Sequence, residues 1–365
     1  PADPSFLEWA IDPYELEFRK RIGRGVAGTT YLALWSGQKV AVKVAAITDM
    51  GLGGWTAEVA ALRRLHHPNV IRLLGSIFNP SPRTYGLVLE YCDAGDLGAA
   101  LEGRTPPGFF WRVAGDTANG MAYLHSKGII HRDIKPANVL LHGDVPSGQF
   151  TAKLTDLGVC TMSREGDSDK EHTAETGTFR WMAPEVIRHE PYSLKADVYS
   201  YALVAWQLIT HEEPFQGRSQ VEAAGLVALE DARPPFPFGT PRHVESFVRR
   251  CWDTDPDRRP EFDRIRVELT EMRERMSERD GAFLDTGHGH PVYEGAEDSD
   301  DDESIEDSES DGDDYKWKEK ILKKSHRRAT RTKSLPGKVS LDEDDHKKKS
   351  KGWGFLGKTK SYIKR

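Results

Sequence analysis

The order of apolar and polar positions changes character part-way along the chain. From Leu16 to about Glu90, short apolar runs such as residues 40–44 and 87–89 predict buried β-strands separated by turns. One interruption, residues 55–65, repeats apolar residues at helical spacing. Beyond this region helical spacing dominates, and it predicts helices at 109–125, 197–211, 242–252 and 261–276. A β-rich part followed by a helix-rich part predicts an α+β fold with two lobes and a ligand cleft between them.

The pattern breaks down near residue 279, where the composition changes. Breaker residues occupy 287–291, residues 297–314 are almost wholly acidic, and residues 316–365 are strongly basic, although the net charge of the whole chain is only −7. Segments with so few apolar groups cannot bury enough surface to offset chain entropy. We therefore predict a lead-in at 1–15, a domain at 16–278 with lobes at 16–90 and 93–278, a disordered acidic linker at 279–314, and a largely disordered basic tail at 315–365.

The three cysteines, Cys92, Cys160 and Cys251, show no metal-ligand spacing and are too few for a disulfide framework. They indicate a reducing compartment, and we expect a cytoplasmic protein with nuclear access through the basic tail. No apolar run reaches the roughly 20 residues needed to cross a bilayer, and the longest candidate, residues 198–209, predicts a buried core helix. The chain has no signal-peptide pattern and no initiating Met, so we expect a fragment or a processed form.

Glycines recur with the spacing Gly-x-Gly-x-x-Gly at Gly23, Gly25 and Gly28. On its own this spacing fits a dinucleotide-binding loop or an ordinary turn. A dinucleotide loop opens a helix, whereas here the glycines are followed by a strand, a turn at Gly37 and a second strand. The glycines therefore belong to a hairpin whose backbone N–H groups can approach phosphate oxygens, and a nicotinamide dehydrogenase is excluded.

Lys43 ends the apolar strand Val-Ala-Val-Lys, and a helix carrying Glu58 follows it. A lysine at a strand end is usually a surface residue, and a glutamate on a helix is usually a solvated charge. The alternative is an ion pair between strand and helix that holds the ammonium group against the α- and β-phosphates of a nucleotide. We favour the ion pair because of the motifs that come later in the chain.

The segment that decides between these alternatives is His131-Arg132-Asp133-Ile134-Lys135-Pro136-Ala137-Asn138. It is followed by Asp156-Leu157-Gly158 and, later, by Ala183-Pro184-Glu185. Together with the glycine hairpin and Lys43, these motifs in this order resemble the protein kinases. The resemblance runs from Leu16 to Met276. It implies a two-lobed fold that binds ATP and Mg²⁺ and transfers the γ-phosphoryl group to hydroxyl groups of protein substrates.

The resemblance assigns roles to individual residues. Asp133 would accept or orient the proton of the attacking hydroxyl, and Lys135 would reach the γ-phosphate. Asn138 and Asp156 would supply oxygen ligands to Mg²⁺. The residues that would bind nucleotide are Ile22, Gly23, Gly25, Gly28, Thr30, Ala41, Lys43, Glu58, Glu90, Cys92, Asp96 and Leu140, with Leu89 at the gatekeeper position. Within that set, the backbone at Glu90 and Cys92 would hold adenine, and Asp96 would contact the ribose.

The resemblance also implies structural supports. Arg259 would form a buried pair with Glu185, and Asp197 would bond the backbone of the catalytic loop. Four residues resemble the internal apolar stack that links the lobes of active kinases: Leu62, Leu73, His131 and Leu157. Plain core packing explains the same four residues, and the two interpretations coexist.

Smaller features indicate the kind of kinase. Lys135 and Thr178 favour serine/threonine over tyrosine specificity. Residues 9–16 and 181–187 resemble the tyrosine-kinase-like group, which includes Raf-like and integrin-linked-kinase-like enzymes. A pseudokinase scaffold and a dual-specificity or tyrosine kinase are the alternatives.

Two residues depart from the family pattern. Thr30 stands where Val is usual, and Leu157 replaces the common Phe of Asp-Phe-Gly. Leu still fills an apolar position, and neither change removes a charge that catalysis needs. We therefore expect an active enzyme rather than a pseudokinase.

The loop before Glu185 is predicted to carry regulatory phosphorylation sites. Arg132 precedes the catalytic Asp and would bind a phosphate on this loop. We expect an upstream kinase to activate the enzyme at Thr176 or Thr173, with Thr161 as the third candidate.

The tail offers weaker signals. The residues around Ser334 resemble a docking site for phosphoserine-binding 14-3-3 proteins. Residues 347–351, followed by aromatic residues, fit an anionic membrane or nucleic acid surface, a nuclear-import signal, or a tail that only adds solubility. The acidic segment at 297–314 could fold back on the basic tail or on the catalytic domain.

Overall fold

Five strands form an antiparallel sheet in the first part of the chain. They are β1 (Leu16–Gly25), β2 (Gly28–Trp35), β3 (Gln38–Ala46), β4 (Leu73–Pro80) and β5 (Arg83–Glu90), in the spatial order β1-β2-β3-β5-β4. The computed structural model describes residues 9–25, 28–46, 59–60, 62–80, 83–157, 161–162 and 179–286. The chain divides into two compact units, Pro1–Leu322 and Lys323–Arg365, and all described residues belong to the first. Ser36 and Gly37, between β2 and β3, have φ of 50° and 79°, which suits the twist of a hairpin.

The two faces of the sheet differ in what covers them. One face carries a small apolar core made of Ile11, Leu16, Ala33, Val40, Val42, Ile77 and Val88. On the other face, strand pairing decides which side chains are neighbours. Thr30 lies opposite Lys43, Lys43 lies opposite Leu87, and Ala41 lies opposite Leu89. Cross-strand partners share a face of the sheet. Leu87 belongs to the main core of the helical part, so Lys43 and Ala41 face the helical part as well.

Part of the predicted lead-in adds to the edge of this sheet. The Ile11 N–H donates to the Ser76 carbonyl and the Ser76 N–H donates to the Trp9 carbonyl, both at 2.8 Å. Gly75 permits this close approach, because a Cβ there would lie 2.4 Å from Ile11 Cδ1. The lead-in is therefore part of the sheet lobe from Trp9 onward.

The helix predicted at 55–65 is described only at 59–60 and from Leu62 onward. There the Arg63 N–H donates to the Val59 carbonyl at 2.9 Å, a helical hydrogen bond. The Arg63 guanidinium lies over the Trp9 ring, 5.1 Å from its centre, so the end of this helix is joined to the lead-in.

The remaining described residues are mainly helical. The helices are α1 (Leu97–Leu101), α2 (Phe109–Ser126), α3 (Pro184–Ile187), α4 (Lys195–Thr210), α5 (Gln220–Glu230), α6 (Arg242–Cys251), α7 (Phe262–Glu274) and α8 (Glu278–Thr286). The four predicted helices are confirmed, with ends that differ by one or two residues. Helix α4 is buried on all sides, which explains its continuous apolar sequence. None of the described helices combines the length and apolar character needed to cross a membrane.

Two small two-stranded sheets place the predicted catalytic segments side by side. Strand β6 (Ile129–Ile130) pairs with β9 (Thr161–Met162), and β7 (Val139–Asp144) pairs with β8 (Gln149–Leu154). The loop from β6 to β7 contains residues 131–138, and the connection from β8 towards β9 begins at Thr155. Because the strands pair, these two loops start and end at the same edge. The predicted two-lobed α+β architecture is confirmed.

The predicted domain boundary at 278 needs correction. Helix α8 continues to Thr286, through the first residues of the segment predicted as a disordered linker. Leu284 is buried in the main core, and the Asp285 carboxylate accepts a 2.6 Å hydrogen bond from the Gly108 N–H, which precedes α2. Composition was misleading here because Phe283 and Leu284 are enough to hold a short helix against an existing core.

Candidate active site

A buried carboxylate on α4 holds the loop between β6 and β7. Asp197 accepts hydrogen bonds from the N–H groups of His131 at 2.8 Å and Arg132 at 2.9 Å, and its Oδ2 lies 2.9 Å from His125 Nε2. The Asp197 side chain is 1% exposed, so these groups take the place of water around the carboxylate. The predicted contact of Asp197 with the loop backbone is confirmed.

Two residues in left-handed backbone conformations shape the paired loops. Arg132 and Asp156 have φ of 70° and 62°, conformations that cost about 1–3 kcal/mol each in non-glycine residues. Surrounding bonds hold them: His131 Nε2 lies 3.0 Å from the Thr155 carbonyl, and the Thr155 N–H donates to the Asn138 carbonyl at 3.0 Å. The loop that carries Arg132 and the loop that carries Asp156 are thereby tied together.

The two oxygens of the Asp133 carboxylate have different environments. Oδ2 lies 2.9 Å from Lys135 Nζ and accepts a 2.7 Å hydrogen bond from Asn138 Nδ2, which also bonds the Asp133 carbonyl at 2.7 Å. Oδ1 is buried and accepts no hydrogen bond from the described part of the chain. One oxygen thus fixes the orientation of the carboxylate, while the other keeps unused capacity to accept a hydrogen bond. The structure brings the three residues predicted as catalytic together.

Lys43 reaches from β3 to the second loop. Its ammonium group forms an ion pair with the Asp156 carboxylate, and the two side chains are 20% and 29% exposed. The predicted partner, Glu58, lies outside the described residues, so that pair stays a prediction. The observed ion pair brings a predicted phosphate-binding residue and a predicted metal ligand to one point of the cleft.

The oxygen donors at this point fit a hard divalent cation that also binds phosphate. Asp156 offers a carboxylate and Asn138 an amide oxygen, both suitable for Mg²⁺. Asn138 uses its Nδ2 on Asp133, which leaves its Oδ1 for such an ion. Within the ranges that the structure describes, no three His, Cys, Asp or Glu side chains converge on one point. Mg²⁺ usually completes its coordination with phosphate oxygens and water, so a carboxylate and an amide oxygen suit such an ion.

The glycine segment forms a hairpin, as its sequence context predicted. Gly25 pairs with Gly28 at the end of β1 and β2, and the turn at 26–27 lies outside the described residues. Gly28 has φ of 131°, a value that favours glycine. Gly23 on β1 pairs with Thr30 on β2, and Thr30 pairs with Lys43 on β3. Gly23 and Lys43 therefore lie in one row of cross-strand neighbours. Ile22, beside Gly23, is 39% exposed.

The segment after β5 joins the two lobes. The Glu90 carboxylate accepts hydrogen bonds from the Arg72 N–H at 2.8 Å and from Lys153 Nζ at 3.1 Å. Cys92 is buried, and burial raises the pKa of its thiol to about 12, so the thiol is neutral at physiological pH. Because both side chains are engaged or buried, contacts with a ligand here would come from the backbone.

Asp96 and Leu140 meet at the helical side of the cleft. Asp96 precedes α1, and its Oδ1 accepts a 3.1 Å hydrogen bond from the Ala99 N–H as the N-cap. A single β-bridge joins Asp96 to Leu140 on β7. The predicted ribose contact of Asp96 stays a prediction, and one carboxylate oxygen is already committed to the helix cap.

Comparison with known proteins decides the family. The family model described as protein tyrosine and serine/threonine kinase matches residues 16–269. The chain belongs to the protein kinase family. Its relatives are of the tyrosine-kinase-like type, as the motifs in the sequence implied.

The kinase relatives differ in how much of their length this chain spans. Serine/threonine/tyrosine-protein kinase HT1 of Arabidopsis thaliana is 34% identical over 282 residues, which is 74% of this chain and 70% of the relative. Serine/threonine-protein kinase STY17 of Arabidopsis thaliana is 35% identical over 271 residues, 73% of this chain and 45% of the relative. Mitogen-activated protein kinase kinase kinase 10 of Homo sapiens is 36% identical over 288 residues, which is 74% of this chain and 30% of the relative. The chain thus spans less than half of the last two relatives.

A buried ion pair supports the helical lobe of this kinase. Arg259 Nη1 lies 2.6 Å from Glu185 Oε1 and Nη2 lies 3.0 Å from Oε2, with side chains 0% and 5% exposed. Arg259 also donates to the carbonyls of Lys195 at 3.0 Å and Asp253 at 2.8 Å. The predicted pair is confirmed, and it joins α3 to the segment before α7.

The four residues of the predicted apolar stack are all buried: Leu62, Leu73, His131 and Leu157. The three leucines belong to the main core that continues into the helical lobe. The packing is therefore compatible with Leu at the position where kinases commonly carry Phe.

Two contacts in the kinase domain were missed by reasoning from sequence. Lys153 Nζ donates to the Pro68 carbonyl at 2.8 Å and reaches Glu90, but a lysine on an alternating strand gives no signal of this role. Arg180 is buried between Phe179 and Trp181. A charged residue between two aromatic residues is a signal that the sequence did offer.

Proposed function

We propose that this kinase transfers the γ-phosphoryl group of ATP to serine and threonine hydroxyls of other proteins. The observation that supports the proposal best is the Asp133 carboxylate, which Lys135 and Asn138 fix through Oδ2 while Oδ1 remains able to accept a hydrogen bond. Phosphoryl transfer asks little covalent chemistry of the protein. It requires that charge is neutralised and that the attacking and leaving oxygens are aligned.

The residues of the cleft divide the reaction among them. Lys43 neutralises the α- and β-phosphates, and Lys135 neutralises the γ-phosphate. The acceptor oxygen attacks the γ-phosphorus, the bond to the β–γ bridging oxygen breaks, ADP leaves, and Asp133 accepts the hydroxyl proton. Held by Asn138 and Asp156, Mg²⁺ would neutralise phosphate oxygens during this step.

Two other functions compete with this proposal. A dual-specificity kinase is favoured by one relative, whose name includes tyrosine as well as serine and threonine. A pseudokinase scaffold would be expected to lack a catalytic group, whereas Lys43, Asp133, Asn138 and Asp156 are all present and close together. Lys135 favours serine and threonine acceptors, because a lysine at this position resembles the pattern of serine/threonine kinases.

One experiment separates these functions. The purified chain is incubated with Mg-ATP and degenerate peptide libraries that fix Ser, Thr or Tyr as the acceptor, beside Asp133→Asn. We expect labelling of the Ser and Thr libraries and loss of labelling in Asp133→Asn. Labelling of the Tyr library as well would establish dual specificity. No labelling by the wild type, or equal labelling by both proteins, would favour the pseudokinase.

We propose activation by an upstream kinase on the loop before Glu185. Thr161 lies in β9, where its backbone pairs with Ile130, whereas Thr173 and Thr176 lie outside the described residues. The guanidinium group of Arg132, the residue before Asp133, lies 5.4 Å from the centre of the Tyr192 ring. Mass spectrometry of active enzyme, with Thr→Ala variants, tests the proposal. Full activity of an unphosphorylated loop would exclude it.

The proposals for the tail concern residues outside the described part. We propose that phosphorylated Ser334 binds 14-3-3 proteins, that residues 347–351 contact anionic surfaces, and that the protein is cytoplasmic. Binding of a phosphorylated Ser334 peptide, with the unphosphorylated peptide as control, tests the first of these. Equal binding of both peptides would exclude it.

A further inference from the structure

One hydroxyl group on the sheet side of the cleft has no hydrogen-bond partner among the described residues. Thr30 on β2 is half-buried, and it pairs with Gly23 on β1 and with Lys43 on β3. Cross-strand partners share a face of the sheet, so the Thr30 side chain lies on the same face as the Lys43 ammonium group. Within the described ranges, no group forms a hydrogen bond with the Thr30 hydroxyl. The hydroxyl is therefore available to a ligand in the cleft.

The glycine beside Thr30 leaves this hydroxyl uncovered. A Cβ built at Gly23 would lie 3.7 Å from Thr30 Cβ and 3.9 Å from Thr30 Oγ1. Heavy atoms at such distances are in contact, so a side chain at residue 23 would cover the hydroxyl on that side. Because residue 23 is glycine, the Thr30 hydroxyl stays open towards the glycine hairpin.

Strand register decides which part of a nucleotide would meet Thr30. Ala41 lies opposite Leu89, close to the segment that joins the lobes, whereas Lys43 lies two residues further along β3. Two residues of a strand span about 6.8 Å. A nucleotide whose base lies at the joining segment and whose phosphates lie at Lys43 passes Ala41 first and Thr30 second. The part that faces Thr30 is therefore the ribose and the α-phosphate, between the base and the β-phosphate.

The chemistry of this part of a nucleotide suits a hydroxyl donor. Ribose and phosphate oxygens all accept hydrogen bonds, and a threonine hydroxyl has one O–H to donate. Thr30 stands where the family pattern has Val, a side chain of similar shape that has no donor. The hydroxyl is therefore a feature of this chain.

We infer that Thr30 is a specificity-determining residue for the nucleotide: its hydroxyl donates a hydrogen bond to an oxygen of the ribose or of the α-phosphate of ATP. The inference rests on the proposed kinase function. The acceptor oxygen lies away from the γ-phosphorus, where the reaction occurs. Loss of the hydroxyl therefore weakens the binding of nucleotide and leaves the rate of phosphoryl transfer unchanged.

The test compares Thr30→Val with a matched control, Thr29→Val. Both replacements keep a β-branched side chain, which suits a strand. Thr29 is also half-buried, but it pairs with Val44, which packs against the small apolar core on the opposite face of the sheet. Titration calorimetry with Mg²⁺ and a non-hydrolysable ATP analogue measures Kd for each protein. We expect Thr30→Val to raise Kd roughly three- to tenfold, the usual effect of one hydrogen bond.

The other variants and the rate should change little. Thr29→Val, and Thr30→Ser, which keeps the hydroxyl, should stay within about twofold of the wild-type Kd. The kcat of Thr30→Val at saturating ATP should also stay within about twofold of the wild type, because a contact made equally in the ground state and the transition state does not change kcat.

Smaller ligands locate the oxygen that accepts the hydrogen bond. Adenosine keeps the ribose but has no phosphate, and AMP adds the α-phosphate. A Kd difference between wild type and Thr30→Val that is present with adenosine assigns the oxygen to the ribose. A difference that is absent with adenosine and present with AMP assigns it to the α-phosphate. Either result supports the inference, and adenine alone should bind both proteins equally.

Four results would overturn the inference. They are an unchanged Kd in Thr30→Val, an equal loss in Thr29→Val, a loss in Thr30→Ser as large as in Thr30→Val, and a difference that is already present with adenine. If Thr30→Val does not fold, Thr30→Ser and Thr30→Ala decide, because these two variants differ only in the hydroxyl. Equal Kd values for the pair would then refute the hydrogen bond. A wild type that binds no nucleotide is a failure of the proposed function instead.

Discussion

The two sides of the cleft hold their chemical groups in different ways. On the helical side, Asp133 belongs to a loop whose backbone is bonded to Asp197, a carboxylate that is 1% exposed. On the sheet side, Lys43 is placed by strand register, and its ion pair with Asp156 is 20–29% exposed. On the helical side, the same contacts therefore stabilise the fold and fix the position of Asp133. On the sheet side, Lys43 supplies a positive charge but contributes little to the stability of the fold. Substitutions on the two sides should therefore separate activity from stability.

The largest effect on stability is expected at the Arg259–Glu185 pair. Arg259→Met leaves a buried carboxylate without its cation and should lower the free energy of unfolding by about 3–5 kcal/mol. Urea denaturation measures the loss. The double variant Arg259→Met with Glu185→Met should recover part of it, because no buried charge then remains. A loss below about 1 kcal/mol in the single variant would show that the pair does not support the helical lobe.

A smaller loss is expected from Asp197→Asn. The amide keeps the shape but replaces one accepting oxygen by a donor, which should cost about 1–3 kcal/mol and loosen the catalytic loop, so kcat falls as well. Asp93→Asn is the matched control: its carboxylate also accepts a backbone N–H, from Gly143 at 2.9 Å, but Asp93 is 52% exposed. The control should lose less than about 1 kcal/mol. Equal losses in both variants would contradict the distinction between buried and exposed carboxylates.

On the sheet side, Lys43→Met should lower the activity while leaving the stability of the fold nearly unchanged. Because the ion pair with Asp156 is partly exposed, we expect the free energy of unfolding to change by less than about 1 kcal/mol. Loss of the ammonium group should lower kcat/KM by about 10²-fold or more. Denaturation and steady-state kinetics on the same preparation provide both numbers. If the Lys43→Met variant unfolds, or if it keeps its activity, the proposed difference between the sheet side and the helical side of the cleft is wrong.

The smallest effect is a dependence of stability on alkaline pH. Burial raises the pKa of the Cys92 thiol from an ordinary 9.0 to about 12. The unfolded chain therefore releases this proton above about pH 9 while the folded chain keeps it, so the stability contribution is present below pH 9 and declines between pH 9 and 12. Urea midpoints at pH 8, 9 and 10 measure the decline, and Cys92→Ala should reduce it. A midpoint that rises with pH over this range would contradict the sign.

What could be predicted from the sequence was mostly local. Asp133, Lys135 and Asn138 lie on one loop, so their spacing alone brought them together. The Lys43–Asp156 contact joins residues 113 positions apart, and the sequence pattern pointed to Glu58 instead. Long-range pairing of this kind depends on how the lobes sit against each other, which periodicity does not encode.

The other differences have similar causes. Helix α8 was missed because the burial of Leu284 requires a groove that only the folded helical lobe creates. The partners of Arg180 are backbone carbonyls, which have no side-chain signature in the sequence. Arg259 and Glu185 were predicted because both belong to recognised motifs, although they lie 74 positions apart.

Single-turnover transfer from γ-labelled ATP to a library-selected peptide, measured for the wild type and Asp133→Asn, tests the role of Asp133 most directly. We expect Asp133→Asn to bind nucleotide within about twofold of the wild-type affinity and to transfer the label about 10²–10⁴-fold more slowly, because the group that accepts the hydroxyl proton is gone. Transfer by Asp133→Asn at the wild-type rate, or a wild type that binds no nucleotide, would contradict the account.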